Sequence, residues 1–235
     1  MIRLDKYLSD MNIGTRSEST KLIKRGEVIV NGSVIKSTSF KVNEKSDIVS
    51  VSGKEVKYKK YFYIMLNKPQ GYITATEDNY NKTVMDLIDN PLIKKRVAPS
   101  GRLDIDTEGF VFMTDDGQLN HFITGPKNHV KKKYLVHLRD KLSDDAIINL
   151  ENGVILDDGY KTKVAEVYRI DDNKCYLIIS EGKFHQVKRM FKAVNNEVIY
   201  LKRTQIGNLP LDDSLNLGEY REISQEEVNL LKETD

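Results

Sequence analysis

Gly101-Arg102-Leu103-Asp104-Ile105-Asp106-Thr107-Glu108-Gly109-Phe110-Val111-Phe112-Met113-Thr114-Asp115-Asp116-Gly117 is the stretch that decides how this chain is read. An acidic cluster precedes an apolar run, Phe110 to Met113. Strand-forming side chains followed by an Asp-Asp-Gly signal predict a β-strand at 110–114 and a turn at Asp115-Asp116. Asp104 therefore lies in a loop that feeds a strand, two residues after Arg102. Reactive groups are commonly carried on loops held by rigid elements. By composition alone, the cluster is a solvated acidic loop.

Working outward, the 235 residues suffice for one large domain or two smaller ones, and 39% hydrophobic content supports a buried core. The single cysteine, Cys175, lies in the apolar run Cys175-Tyr176-Leu177-Ile178-Ile179, which excludes a disulfide scaffold and fits a buried strand residue in a reduced setting. Met1-Ile2-Arg3-Leu4-Asp5 has no apolar signal core, and no run approaches membrane-spanning length. A cytoplasmic chain without a membrane anchor is expected. The net charge of +2 hides an asymmetry: residues 1–60 hold 13 Lys+Arg against 7 Asp+Glu. A basic N-terminal block on a near-neutral chain suggests an accessory module for a polyanion.

Two modules are predicted, 1–58 and 59–235. In the first, Leu4, Leu8 and Met11 share one helical face, and Gly14 breaks that helix. Ser17 is the expected cap of a second helix ending at Gly26. Val28-Ile29-Val30 and Ser33-Val34-Ile35 flank Asn31-Gly32, a type I′ hairpin signal. A strand at 47–52 follows, and lysine-rich 53–60 reads as the linker. In the second module, strands are predicted at 61–66, 110–114, 134–138, 164–170 and 175–180, with Asn67-Lys68-Pro69-Gln70-Gly71 turning the chain after the first. Val187, Met190, Phe191 and Val194 keep helical spacing over 186–194, and Ser224 opens a last helix. Strands and helices interleave without a βαβ rhythm, so the predicted class is α+β, mainly antiparallel.

Asp104-Ile105-Asp106-Thr107 has the Asp-x-Asp-x-Thr form of the metal-dependent haloacid-dehalogenase phosphotransferases. That family needs an apolar strand before its first Asp, whereas here the strand comes after. A different resemblance covers nearly the whole chain. Gly101-Arg102-Leu103-Asp104-x-Asp106-Thr107-x-Gly109 resembles the signature of the RsuA/RluA family of RNA pseudouridine synthases. Met113-Thr114-Asp115-Asp116-Gly117-Gln118, Lys133-Tyr134-Leu135-Val136 and Glu181-Gly182-Lys183-Phe184-His185-Gln186-Val187-Lys188-Arg189-Met190-Phe191 are similar to further family motifs, in the expected order. Two helices followed by Arg25-Gly26-x-Val28-x-Val30-Asn31-Gly32 resemble the S4 RNA-binding domain.

The resemblance implies a small S4-like α/β domain and a catalytic domain with a long, bent, mainly antiparallel sheet and a central cleft. It implies isomerisation of a uridine in the helix 18 region of 16S ribosomal RNA, with no cofactor and no metal. A 23S rRNA synthase of the same family and a non-catalytic RNA-binding assembly factor are the alternatives. Asp104 matches the catalytic carboxylate, as nucleophile or as base. The matching cation is Lys183, which would favour the charged carboxylate. Tyr134 matches the tyrosine packed on the target base, and Arg102 the arginine that displaces the target nucleotide. Lys68, in the Lys-Pro-x-Gly motif, and Gln186 are further RNA-contact candidates in the cleft. Lys131, Lys132 and Lys133 are expected to bind phosphate beside it, and Arg16, Lys21, Lys24 and Arg25 to bind phosphate from the S4-like module. Asp106 is expected to brace its loop through backbone amides, and His185 to be structural at a helix start. Naked 16S rRNA or a small-subunit assembly particle is the expected partner, and the chain is expected to be a monomer.

Overall fold

The computed structural model describes residues 1–233. The chain divides into two compact units, Met1–Tyr61 and the residues from Phe62 onward.

The first unit contains β1 (Ile2–Arg3), α1 (Leu4–Asp10), α2 (Arg16–Arg25), β2 (Val28–Val30), β3 (Ser33–Val34), β4 (Lys41–Val42), β5 (Val49–Val51) and β6 (Lys54–Glu55). Leu4, Leu8 and Met11 are buried together, as their spacing predicts. The start of α2 differs from expectation: Thr15, not Ser17, is the cap. Its hydroxyl accepts from the Glu18 amide while the Glu18 side chain accepts from the Thr15 amide, a reciprocal box that Ser17 stands too late in the chain to make. Asn31 and Gly32 both have positive φ, 50° and 80°, as a type I′ turn between β2 and β3 requires.

Residues 53–60 are not simply a linker. Ser52 and Gly53 form a second tight turn with φ of 50° and 78°, and β6 pairs with β5. The Tyr7 hydroxyl donates to the Val56 carbonyl at 2.6 Å, so this segment closes the core of the first unit. Lysine-rich composition disguised a strand because only Val56 and Tyr58 of this segment pack on the core.

The second unit begins with β7 (Tyr63–Lys68), a 3-10 turn (Val84–Leu87), α3 (Pro91–Arg96), β8 (Ala98–Ser100) and β9 (Glu108–Thr114). It continues with α4 (Gly117–Thr124), β10 (Lys132–Leu138), α5 (Asp144–Glu151), β11 (Glu166–Asp171) and β12 (Lys174–Ile179). Last come α6 (Gln186–Ala193), β13 (Val198–Ile206), β14 (Leu209–Pro210), β15 (Tyr220–Glu222) and α7 (Gln225–Leu230). Asn67 and Lys68 extend β7 rather than turning the chain. Asp115-Asp116 is a helix start rather than a plain turn: Asp116 caps α4 by accepting from the Gln118 and Leu119 amides.

The strands form one nine-stranded sheet with the order β11-β12-β10-β13-β9-β7-β15, while β14 adds to β13 and β8 to β9. Every pairing is antiparallel except β9 with β13, where Glu108 and Gly109 lie beside Lys202 and Arg203. This short parallel seam joins two antiparallel halves. A side chain at Gly109 would place its Cβ 2.2 Å from the Arg203 carbonyl oxygen, so only glycine lets the two backbones meet. Alternation along β9 sorts the core: Val111 and Met113 pack on one face with α6, and Phe110 and Phe112 on the other with α4 and α7.

Candidate active site

The loop 101–107 enters β9 at the parallel seam. Leu103, the residue before Asp104, is buried in the same core cluster as Tyr134 and the inner face of α6 (Val187, Met190, Phe191). These three elements therefore converge on one face of the sheet.

Lys68 holds the loop from beneath. It is fully buried at the end of β7. Its ammonium donates to the carbonyls of Thr107 at 2.8 Å, Pro69 at 3.0 Å, Asp104 at 3.1 Å and Ile105 at 3.4 Å. Burial pulls its pKa from 10.5 down to about 8, against the opposing charges of Asp106, Asp104 and Glu108. A side chain with no exposed surface cannot touch RNA, so the expectation for Lys68 is corrected: it shapes the loop. Thr74 ties the other side, its hydroxyl donating to the Leu103 carbonyl and accepting from the Leu103 amide.

With its backbone pinned, the loop points the Asp104 side chain outward, where it is 25% exposed. His185 Nε2 lies 3.5 Å from one carboxylate oxygen and Lys188 Nζ 3.8 Å from the other. Lys188 also sits 2.6 Å from both oxygens of Asp106. Burial would raise the Asp106 pKa, but the hydrogen bond and charge of Lys188 prevail and hold it below the usual value. Asp106 thus meets its own backbone amide within the loop and in addition bridges to α6.

The cation beside Asp104 is therefore not Lys183. The Lys183 ammonium lies over the Tyr160 ring, 4.4 Å from its centroid. The physical reason is helical geometry. Lys183 precedes α6 in a turn that faces Tyr160, whereas Lys188, in the first turn of the helix, looks back toward the loop. The sequence signal was partial, since Lys188 lies off the apolar stripe of α6 but Arg189 and Lys192 do too.

His185 begins α6 with φ of 48°, in the left-handed region, and its imidazole makes no cap hydrogen bond. It is at a helix start, as expected, but its ring is committed to Asp104 and to the ring of Phe184, 3.7 Å away between centroids. Gln186 is also corrected. It is buried, its Nε2 donates to Glu181 at 2.6 Å, and its Oε1 accepts from the Lys183 amide at 2.8 Å. Glu181 accepts in addition from the Tyr160 hydroxyl at 2.7 Å and from the Lys163 amide at 3.0 Å.

Tyr134 is 7% exposed on β10, opposite Leu177 and Arg203. A bulge in the β10–β13 pairing falls between Lys133 and Tyr134, where such an irregularity re-aims side chains. Arg102 is exposed and makes no hydrogen bond or ion pair among the described residues. The three lysines before Tyr134 do not form a common free patch. Lys131 pairs with Glu166 at 3.0 Å, Lys132 donates to the Ile123 carbonyl at 3.4 Å, and Lys133 lies over the Tyr176 ring. Burial lowers the Lys132 pKa to about 8. In the first unit, Arg16, Lys21, Lys24 and Arg25 are all exposed on α2. Arg16 leans on Asp5 and Arg25 on Glu27, whereas Lys21 and Lys24 make no ion pair among the described residues.

A groove of about 1270 Å³ starts beside Asp106 and runs past Phe184, His185, Lys188 and Lys192 toward Arg139. No group of three or more metal-ligating side chains occurs among the described residues, and none of their helices is long and apolar enough to cross a membrane.

Comparison with known proteins agrees with this geometry. The RNA pseudouridylate synthase family matches residues 62–193, and the S4 domain matches residues 2–57. The chain belongs to the RNA pseudouridylate synthase family and carries an S4 domain. It is 46% identical over 236 residues to an uncharacterized RNA pseudouridine synthase of Bacillus subtilis (strain 168), covering 99% of each chain. It is 45% identical over 231 residues to the ribosomal small subunit pseudouridine synthase A of Vibrio parahaemolyticus, covering 97% of this chain and 98% of that one. A crystal structure of a pseudouridylate synthase, 39% identical, superposes with a TM-score of 0.70 over 98% of this chain and 100% of the other. The chain is thus an RNA pseudouridine synthase.

Proposed function

We propose that this enzyme converts a uridine of 16S ribosomal RNA, in the helix 18 region, to pseudouridine, with Asp104 as the reacting carboxylate. The observation that carries the reading is a partly exposed carboxylate on a loop pinned by a buried ammonium and flanked by His185 and Lys188. The 16S target is supported by full-length similarity to ribosomal small subunit pseudouridine synthases, at 45% identity in Vibrio parahaemolyticus and 41% in Haemophilus influenzae.

The reaction breaks the N1–C1′ bond, turns the uracil, and forms a C5–C1′ bond while the C5 hydrogen leaves as a proton. Atoms and electrons balance without an oxidant or reductant. Asp104 either bonds to the ribose or removes a ribose proton, and Lys188 supplies positive charge beside it throughout. Tyr134 offers a ring against the uracil. Arg102, unpaired at the mouth of the loop, is free to fill the gap left by the displaced nucleotide or to bind its phosphate. Lys21 and Lys24 of the S4 domain add phosphate contacts that position RNA without reading its sequence. The enzyme acts as a monomer in the cytoplasm, on naked RNA or an assembly particle.

Tritium release from 5-tritiated uridine in 16S rRNA, with EDTA present, tests this directly. Wild type should release tritium and Asp104→Asn should not. Release from 23S rRNA alone would move the target to the large subunit. Dependence on a divalent ion in the chemical step would remove the carboxylate mechanism.

A further inference from the structure

Phe184 is 76% accessible, although it stands beside the candidate active site. One exposed phenylalanine needs no explanation by itself. What calls for one here is the support beneath it. The turn 181–186 is fixed by a buried polar network: Gln186 bonds the Lys183 amide and Glu181, and Glu181 also holds Tyr160 and the Lys163 amide. The Phe184 carbonyl accepts from Arg189 at 3.3 Å, and Arg189 is itself clamped by Asp157 and Asp158. The next residue, His185, is held at positive φ, a conformation that persists in a non-glycine residue only where its surroundings enforce it. This rigid turn displays one apolar ring to solvent. The inner face of that ring is stacked on His185 at an interplanar angle of 21°, and the outer face is open.

We propose that Phe184 is a stacking platform for an unpaired nucleobase of the RNA, the base adjacent to the uridine presented to Asp104. The inference rests on the reading of Asp104 given above. Lifting a nucleotide out of a stack strips one face from its neighbour. An aromatic ring fixed next to the carboxylate replaces that face for any base, because every base has a π surface. The chain of groups is continuous: Asp104 meets His185, His185 meets Phe184, and Phe184 meets the groove. Lys192 lines the same groove and can take a phosphate beside the stacked base. A groove of about 1270 Å³ exceeds the size of a single small-ligand site.

The test compares wild type, Phe184→Ala, Phe184→Leu and Phe184→Trp on 5-tritiated 16S rRNA, with Asp104→Asn beside them. Phe184→Ala should raise KM roughly ten- to hundredfold, the range that aromatic–base stacking carries, with kcat nearly unchanged. Phe184→Trp should restore KM and Phe184→Leu should not, since leucine keeps apolar area but has no π face. A second readout places 2-aminopurine next to the target uridine in a helix 18 fragment. Its fluorescence should change on binding to Asp104→Asn and should not change when Phe184→Ala is added. Thermal melting should be unaltered by these surface substitutions. An unchanged KM in Phe184→Ala, or equal rescue by leucine and tryptophan, would overturn the platform while leaving Asp104 in place. Tritium release by Asp104→Asn would instead overturn the reading on which the platform rests.

Discussion

The loop 101–107 and the turn 181–186 build the two sides of one site by opposite means. The loop is gathered by a cation: Lys68 pulls four carbonyl oxygens onto one ammonium. The turn is gathered by acceptors: Glu181 and Gln186 share amides, a hydroxyl and each other. The first arrangement concentrates most of its side-chain hold in one atom, with Thr74 alone beside it. The second spreads it over several side chains. A concentrated hold gives a sharply fixed carboxylate but fails at a single substitution, whereas a distributed hold fails by degrees.

The largest effect should fall where the two regions meet. Asp104→Asn is expected to reduce kcat by at least about three orders of magnitude with binding of 16S rRNA retained, read by single-turnover tritium release and filter binding. If binding collapsed as well, the carboxylate would be structural. Next is Lys68→Met, which takes the donor from the Pro69 and Thr107 carbonyls and one of two donors from those of Asp104 and Ile105. Urea unfolding should show a loss of about 3–5 kcal/mol in the catalytic unit. Glu181→Gln should do less, about 1–2 kcal/mol, because its amide can still accept some of the same bonds. Equal losses from these two variants would erase the contrast between concentrated and distributed support.

Proton loss sharpens the comparison further. The Lys68 ammonium has three N–H groups for its four carbonyls and the amine has two. Tritium release should therefore fall as pH rises through about 8, the pKa to which burial brings Lys68. Stability has the other sign. The folded pKa lies below the unfolded value of 10.5, so the unfolded chain binds the extra proton between about 8 and 10.5, and this group's contribution rises over that window. Activity and stability should part company there. Lys132 has a similarly lowered pKa, so Lys132→Met should keep the alkaline limb if Lys68 causes it. The smallest expected effect is in the S4 domain, where Lys21→Ala with Lys24→Ala should reduce the salt slope of RNA binding by roughly 0.7 per lost phosphate contact.

Much of this was legible in the sequence. Strict chemistry in short motifs exposed the Asp104 loop, the Asn31-Gly32 hairpin, the helix over 186–193 and the cap at Ser224. The long strand β13 was missed. Lys202, Arg203, Thr204 and Gln205 interrupt its apolar alternation because Arg203 is turned inward, donating to the Phe110 carbonyl at the seam. Helices α3, α4 and α5 were missed because each is short and capped by a side chain whose role shows only in context. The wrong assignments at Lys68 and Gln186 share one cause. Both are polar residues of RNA-enzyme motifs, and polarity reads as exposure until a structure shows carbonyls or amides waiting inside. Lys188 was overlooked because helix phase, not residue type, decides which cation faces a loop.

The parallel seam between β9 and β13 has a kinetic meaning. Both antiparallel halves of the sheet contain pairs that close over short stretches of chain, such as β11 with β12 and β8 with β9. The meeting of Glu108 with Lys202 instead closes a loop of more than half the domain, and the pairing of β15 with β7 spans more chain still, so both carry a closure entropy that the local pairs do not. The Asp104 loop and helix α6 stand on opposite sides of this junction in the chain. Because the Asp104 loop feeds β9 beside this junction, assembly of the site depends on a contact between distant parts of the chain.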